Sequence, residues 1–116
     1  LTLITGVNTK GLYIERPCGT WMEVPIIEDA IIVSASNMLE RISNGYFKST
    51  KHKVDIDGFG DRFSMPFFVY FDPEATLHVS KQAIKKTDGV ASYAPILVKD
   101  ALSGHNWLEV PEKNTP

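Results

Sequence analysis

The sequence predicts a mainly-β fold of the jelly-roll kind with a short helical extension at its C-terminal end. Two observations predict it. Short apolar, β-branched and aromatic stretches recur through the first seventy positions, each bounded by Gly, Pro, Asn or Asp. Where these stretches carry polar residues, they alternate with period two, as a half-buried strand requires. Many short strands joined by turns make a sandwich or barrel.

The elements follow in order. Leu1 to Ile4 is apolar and strand-like, and Gly6 to Gly11 is a turn. Leu12 to Glu15 is a second strand. A turn at Pro17-Cys18-Gly19 leads into Thr20 to Val24, with Trp21 and Glu23 on one face and Met22 and Val24 on the other. The pair resembles a hairpin. Ala30 to Ser34 is a continuous apolar run too short for a helix, so a buried strand is expected.

Asn37 is a good helix N-cap, and Glu40, three residues on, has capping-box spacing. A short helix should run to about Ile42, with Gly45 supplying the left-handed position that ends it. Phe47 to Val54 and Arg62 to Phe71 are the last two strands of this part, joined by a Gly- and Asp-rich loop over 55–61. Pro66 cannot donate to a ladder, so its strand lies at an edge or a bulge. Beyond Pro73, Leu77 to Val79 is a short extension, Ala83 to Ala91 is loop-like, and Pro95 to Leu102 is helical up to Gly104. The expected organisation is 1–72 as a β core, 73–110 as an extension with a short helix, and 111–116 as a disordered tail.

With 116 residues there is room for one domain. Hydrophobic residues are 43% and charged residues 22%, ordinary for a globular protein. The net charge of -2 gives no reason to expect nucleic acid or an anionic membrane as partner. Cys18 is the only cysteine, which excludes an internal disulfide and a cysteine-based zinc site and makes a cytoplasmic address the default. It lies in a turn and reads as structural. No segment has the ~18 continuous apolar residues of a membrane span. The chain opens on Leu1 inside an apolar run, without Met, so a piece of a longer protein is expected.

A second layer of reading rests on particular residues. Ser43-Asn44-Gly45-Tyr46-Phe47-Lys48-Ser49-Thr50-Lys51-His52-Lys53-Val54 is followed, ten residues after the histidine, by Arg62-Phe63-Ser64 and Pro66-Phe67-Phe68. This resembles the segment around the distal iron histidine and the Arg-x-Ser signature of the non-haem iron(II), 2-oxoglutarate-dependent oxygenases, the isopenicillin N synthase-like and ascorbate-dependent group. Leu1-Thr2-Leu3-Ile4, Gly11 to Ile14, Trp21 to Pro25 and Ala30 to Val33 match in order and spacing. The resemblance covers about residues 1–71 closely and the remainder loosely.

The resemblance implies a partial double-stranded β-helix, with His52 as one iron ligand and Arg62 and Ser64 as the anchor for 2-oxoglutarate. Such enzymes hold Fe(II) with two histidines and one carboxylate, leaving positions open. A guanidinium forms a two-pronged pair with a carboxylate, and a hydroxyl two residues on faces the same side of a strand. The family's remaining pair, His-x-Asp, precedes the Leu-Thr-Leu segment, which here is residue 1. The expected function is therefore a fragment of an oxygenase acting on a small organic substrate, inactive alone, with Fe(II), 2-oxoglutarate and ascorbate as the parent's cofactors. Exposed strands should make the fragment self-associate.

His78 and His105 match no motif and read as surface residues, Asp55 and Asp57 as turn formers, and Trp21, Phe67, Phe68, Tyr70 and Phe71 as packing. Ser36-Asn37 stands where the family has Gly-Asp, and Lys53 where it has Arg. A second reading is a short non-catalytic jelly-roll module that binds a carboxylate ligand or a protein partner at Arg62. A third is a cupin-like metal binder assembled across two chains.

Overall fold

A computed structural model of the chain describes residues 1–6, 10–55, 58 and 60–103. The described elements are mainly short strands: β1 (Thr2–Thr5), β2 (Leu12–Glu15), β3 (Trp21–Glu23), β4 (Ile32–Ser34), β5 (His52–Val54), β6 (Met65–Phe68), β7 (Thr76–Leu77) and β8 (Ile96–Leu97). Three short helices join them: α1 (Asn37–Ile42), α2 (Lys81–Lys86) and α3 (Val98–Leu102). Two compact units divide these elements, one of residues 1–34 with 50–69, the other of 35–49 with 70–116.

The first unit holds two antiparallel sheets, ordered β4-β1-β6 and β3-β2-β5. In the first, Leu3 stands between Val33 and Phe67, and Thr5 opposite Met65. Residues directly opposite share a face, so Leu3, Val33, Met65 and Phe67 form one apolar face. Val33 is 62% exposed and Phe67 67%. The expectation of a buried strand at 30–34 and of core packing for Phe67, Phe68, Tyr70 and Phe71 is corrected here. β4 and β6 end their sheet among the described residues, and no described layer covers that face. Pro66 sits in terminal β6, where its missing N–H costs no ladder bond.

In the second sheet, Ile14 stands between Met22 and His52, and Tyr13 between Glu23 and Lys53. The alternation expected at Trp21 to Val24 holds: one face is apolar, and the other carries Tyr13, Trp21, Glu23 and Lys53. Strand β5 is shorter than expected. Residues 47–51 lie outside it because Phe47 N–H and Ser49 N–H are taken by side chains, Ser43 Oγ (3.0 Å) and Glu40 Oε2 (2.7 Å).

The second unit is built round Met38, Leu77 and Val98, with Ile42, Ala75 and Ile96 against them. β7 and β8 pair antiparallel, and Val98 N donates to Ala75 O at 2.9 Å. Four local expectations fail. The cap of α1 is Ser36, not Asn37, and makes no side-chain cap bond. Glu40 is turned away from the N-terminus because stronger partners, Ser49 N–H, Lys48 and Tyr93, take its carboxylate. The stretch 83–91, read as loop, begins inside α2, whose apolar Ala83 and Ile84 are half-buried. The helix expected over 95–102 starts later, at Val98, since Ile96 and Leu97 pair with β7. The tail 111–116 and His105 lie outside the described residues. Among the described residues no helix is long and apolar enough to cross a membrane.

Candidate functional site

The three candidate side chains all belong to the first unit. His52 opens β5 opposite Ile14, on the apolar face of its sheet, and is exposed. Its Nδ1 lies 3.1 Å from the carbonyl oxygen of Thr50. A carbonyl only accepts, so Nδ1 is the donor in that bond and Nε2 is the ring nitrogen left to meet a metal, as in a metal-ligating histidine.

Arg62 and Ser64 lie on the approach to β6, which starts at Met65, and not within the strand where the sequence placed them. They meet nonetheless. Arg62 Nη1 donates to Ser64 Oγ at 3.3 Å. Arg62 Nε is buried and has no hydrogen-bond partner among the described residues. A buried donor left unpaired costs about 1–3 kcal/mol, and a guanidinium edge with an unused donor matches a carboxylate geometrically. The residues present therefore fit a carboxylate ligand such as that of 2-oxoglutarate.

For iron the fit is partial. His52 offers one donor. Among the described residues no three His, Cys, Asp or Glu side chains cluster as a metal site. Asp55, exposed beyond β5, donates its backbone N–H to Gly11 O at 2.8 Å and so continues the pairing of β5 with β2; Asp57 lies outside the described residues. His78 is exposed on the other unit. A separate open cleft of about 610 Å³ in the first unit is lined by Thr5, Ile26, Ile27, Asp29 and Ile31, and by none of the three candidates.

Residues 1–70 match the family model of the 2OG-Fe(II) oxygenase superfamily. The chain belongs to that superfamily. Members of the superfamily depend on Fe(II) and 2-oxoglutarate. The chain is 31% identical to scopoletin 8-hydroxylase of Arabidopsis thaliana over 103 residues, 89% of this chain and 29% of the hydroxylase. It is 37% identical over 70 residues to a feruloyl CoA ortho-hydroxylase of Ipomoea batatas, covering 60% of this chain and 20% of that protein. Its fold is similar to that of a full-length Neurospora crassa protein solved in complex with alpha-KG. That match has a TM-score of 0.76 at 23% identity, and it covers 88% of this chain and 33% of the other. The chain thus spans about a third or less of the length of these relatives. The chain has the mainly-β fold, part of a jelly roll, that the sequence predicted.

Sequence reasoning missed two constellations. One is a polar network in the second unit: buried Glu40 accepts from Lys48 Nζ (3.2 Å), Ser49 N–H (2.7 Å) and Tyr93 O–H (3.1 Å). Burial pushes its carboxyl up, but the three donors outweigh that and hold it below the ordinary carboxylate range. Tyr93 is raised in turn, by burial first and then by the neighbouring charge and hydrogen bond of Glu40. The other constellation is Lys53, whose Nζ lies 4.9 Å from the Trp21 ring centre and 5.6 Å from that of Tyr13. Trp21 is therefore half-open and stacks on a cation, where packing had been expected. Neither constellation leaves a spacing signal, because each is assembled from segments far apart in sequence.

Proposed function

We propose that this chain is the part of an iron(II)- and 2-oxoglutarate-dependent oxygenase that supplies the distal iron histidine, His52, and the 2-oxoglutarate anchor, Arg62 with Ser64. Residues 1–72 would be the C-terminal half of its double-stranded β-helix and 73–110 an extension. The two further iron ligands, a His-x-Asp pair, would come from outside residues 1–116. The parent enzyme oxidises a small organic substrate, with ascorbate as auxiliary reductant. Bound iron would supply oxygen activation coupled to decarboxylation of 2-oxoglutarate.

The observation that carries this reading is the Arg62–Ser64 contact beside a buried Nε donor that has no acceptor among the described residues. Arg62 binds the distal carboxylate with two parallel N–H bonds, and the Ser64 hydroxyl adds a third donor. Removing that carboxylate's charge from water is favourable only because the guanidinium meets it with matched geometry. The Thr50 carbonyl lies 3.1 Å from His52 Nδ1, so Nε2 would be the ring nitrogen that holds the metal.

The test is titration with 2-oxoglutarate followed by NMR, together with succinate release by the full encoded protein supplied with Fe(II). Arg62→Lys should weaken 2-oxoglutarate binding about 10- to 100-fold, from loss of the bidentate pair. His52→Ala should abolish succinate release and leave 2-oxoglutarate binding to the chain unchanged. Binding that is indifferent to Arg62→Lys would sink the assignment. Arg62-dependent binding without turnover in the full protein would favour the non-catalytic carboxylate-binding module.

A further inference from the structure

Strand β5 is three residues long, all exposed, and ends its sheet among the described residues. Two backbone bonds flank it, Glu15 N to Lys51 O (3.0 Å) and Asp55 N to Gly11 O (2.8 Å). The pairing with β2 thus runs from Lys51 to Asp55, but with every residue of β5 exposed no buried face specifies its register. A slip of one residue would put Lys53 on the apolar face and His52 on the other. On the outer face, Lys53 stands opposite Tyr13, and Trp21 lies one strand further on, opposite Glu15. The Lys53 ammonium reaches both rings, at 5.6 Å and 4.9 Å. Its stem therefore crosses β2 and ties the edge strand to β3. Lys51 adds an ion pair to Glu15 at 3.2 Å, but both ends of that pair lie at the strand's entry and reach only β2.

We propose that Lys53 is a positioning residue: its ammonium, held between the Trp21 and Tyr13 rings, fixes the register of β5 and thereby keeps His52 on the apolar face. The proposal rests on the reading of His52 as an iron ligand. Lys53 touches no reacting group; it acts through the strand it shares with His52. The requirement is for a cation of sufficient reach over two rings, so Arg would serve and an uncharged stem of similar length would not.

The experiment compares Lys53→Met and Lys53→Arg by amide hydrogen exchange over residues 52–54 and by the ring-nitrogen chemical shifts of His52. Two exposed cation–π contacts correspond to about tenfold faster exchange in Lys53→Met, confined to β5. The His52 ring should at the same time shift from a single Nδ1–H tautomer to a mixture. Lys53→Arg should restore both. In a Trp21→Leu background, Lys53→Met should add less than threefold, which keeps the test valid if one variant is poorly folded. Unchanged exchange and tautomer in Lys53→Met would overturn the proposal, as would faster exchange spread equally over β2 and β3 without rescue by Arg. If the exchange and tautomer results hold but the full protein neither binds iron nor turns over 2-oxoglutarate, the clamp stands and the oxygenase reading of His52 falls.

Discussion

Asn44 should be the most sensitive position in the second unit. It follows α1 in the left-handed region, at φ 56°, and is buried. Its Nδ2 donates to Thr87 Oγ1 (2.5 Å) and Val90 O (2.9 Å), and its Oδ1 accepts from Ser92 N (2.7 Å). One amide thus ties the end of α1 to the segment 87–92. Replacing it with Ala removes three hydrogen bonds at about 1 kcal/mol each. It also forces a Cβ-bearing residue without a compensating local bond into the left-handed region, at a further ~1 kcal/mol. Asn44→Ala should therefore cost about 4 kcal/mol, a large part of the 5–15 kcal/mol that holds a typical domain together. Asn44→Gly keeps the backbone conformation free and should cost about 3 kcal/mol, so the pair separates strain from bonding. Urea unfolding read by hydrogen exchange at Ser92 and Val98 reports the second unit specifically. If both variants lose less than 1 kcal/mol, or if Ser92 exchange is unaltered, the amide does not hold this segment.

The Glu40 carboxyl is depressed in the folded chain, so it binds its proton more weakly folded than unfolded. Its contribution is present above its ordinary value, about pH 4.3, and is lost as pH falls through the lower folded value. Acid unfolding of the second unit should consequently lose part of its steepness in Glu40→Gln, as followed by Tyr93 fluorescence. Cys18 Sγ lies 3.1 Å from Thr20 Oγ1, and the thiol is lowered chiefly by that side-chain hydrogen bond. Thr20→Val should return its alkylation profile with iodoacetamide to higher pH, and an unmoved profile would show that the contact does not persist in solution. The apolar face of Leu3, Val33, Met65 and Phe67 has no described cover, so we propose that the chain self-associates there. Sedimentation should show a concentration-dependent mass that Phe67→Lys reduces to monomer. A wild-type monomer at high concentration would be the contrary result.

Much of the fold was legible because strand chemistry is local. Alternation at Trp21 to Val24, the bounded run at Leu12 to Glu15 and Pro66 at an edge each follow from residues within one strand. The ordered matches around His52 and Arg62-x-Ser64 likewise lie in continuous sequence. What the sequence misjudged depended on partners brought from elsewhere. Glu40 has capping-box spacing, yet its carboxylate belongs to Ser49, Lys48 and Tyr93, because a buried charge is held by its nearest strong donors and not by its sequence neighbours. Phe67 and Val33 carry the composition of a core, but composition cannot say whether a layer covers a face. Taken alone, the sequence determined the β class, the superfamily and the candidate residues, since these are written in period, turn chemistry and spacing. Only the tertiary structure decided that Arg62 meets Ser64 with a buried donor to spare, and that Lys53 spans two strands to two rings. Those facts are distances between side chains, and distance across a sheet is fixed by pairing register, which no single strand encodes.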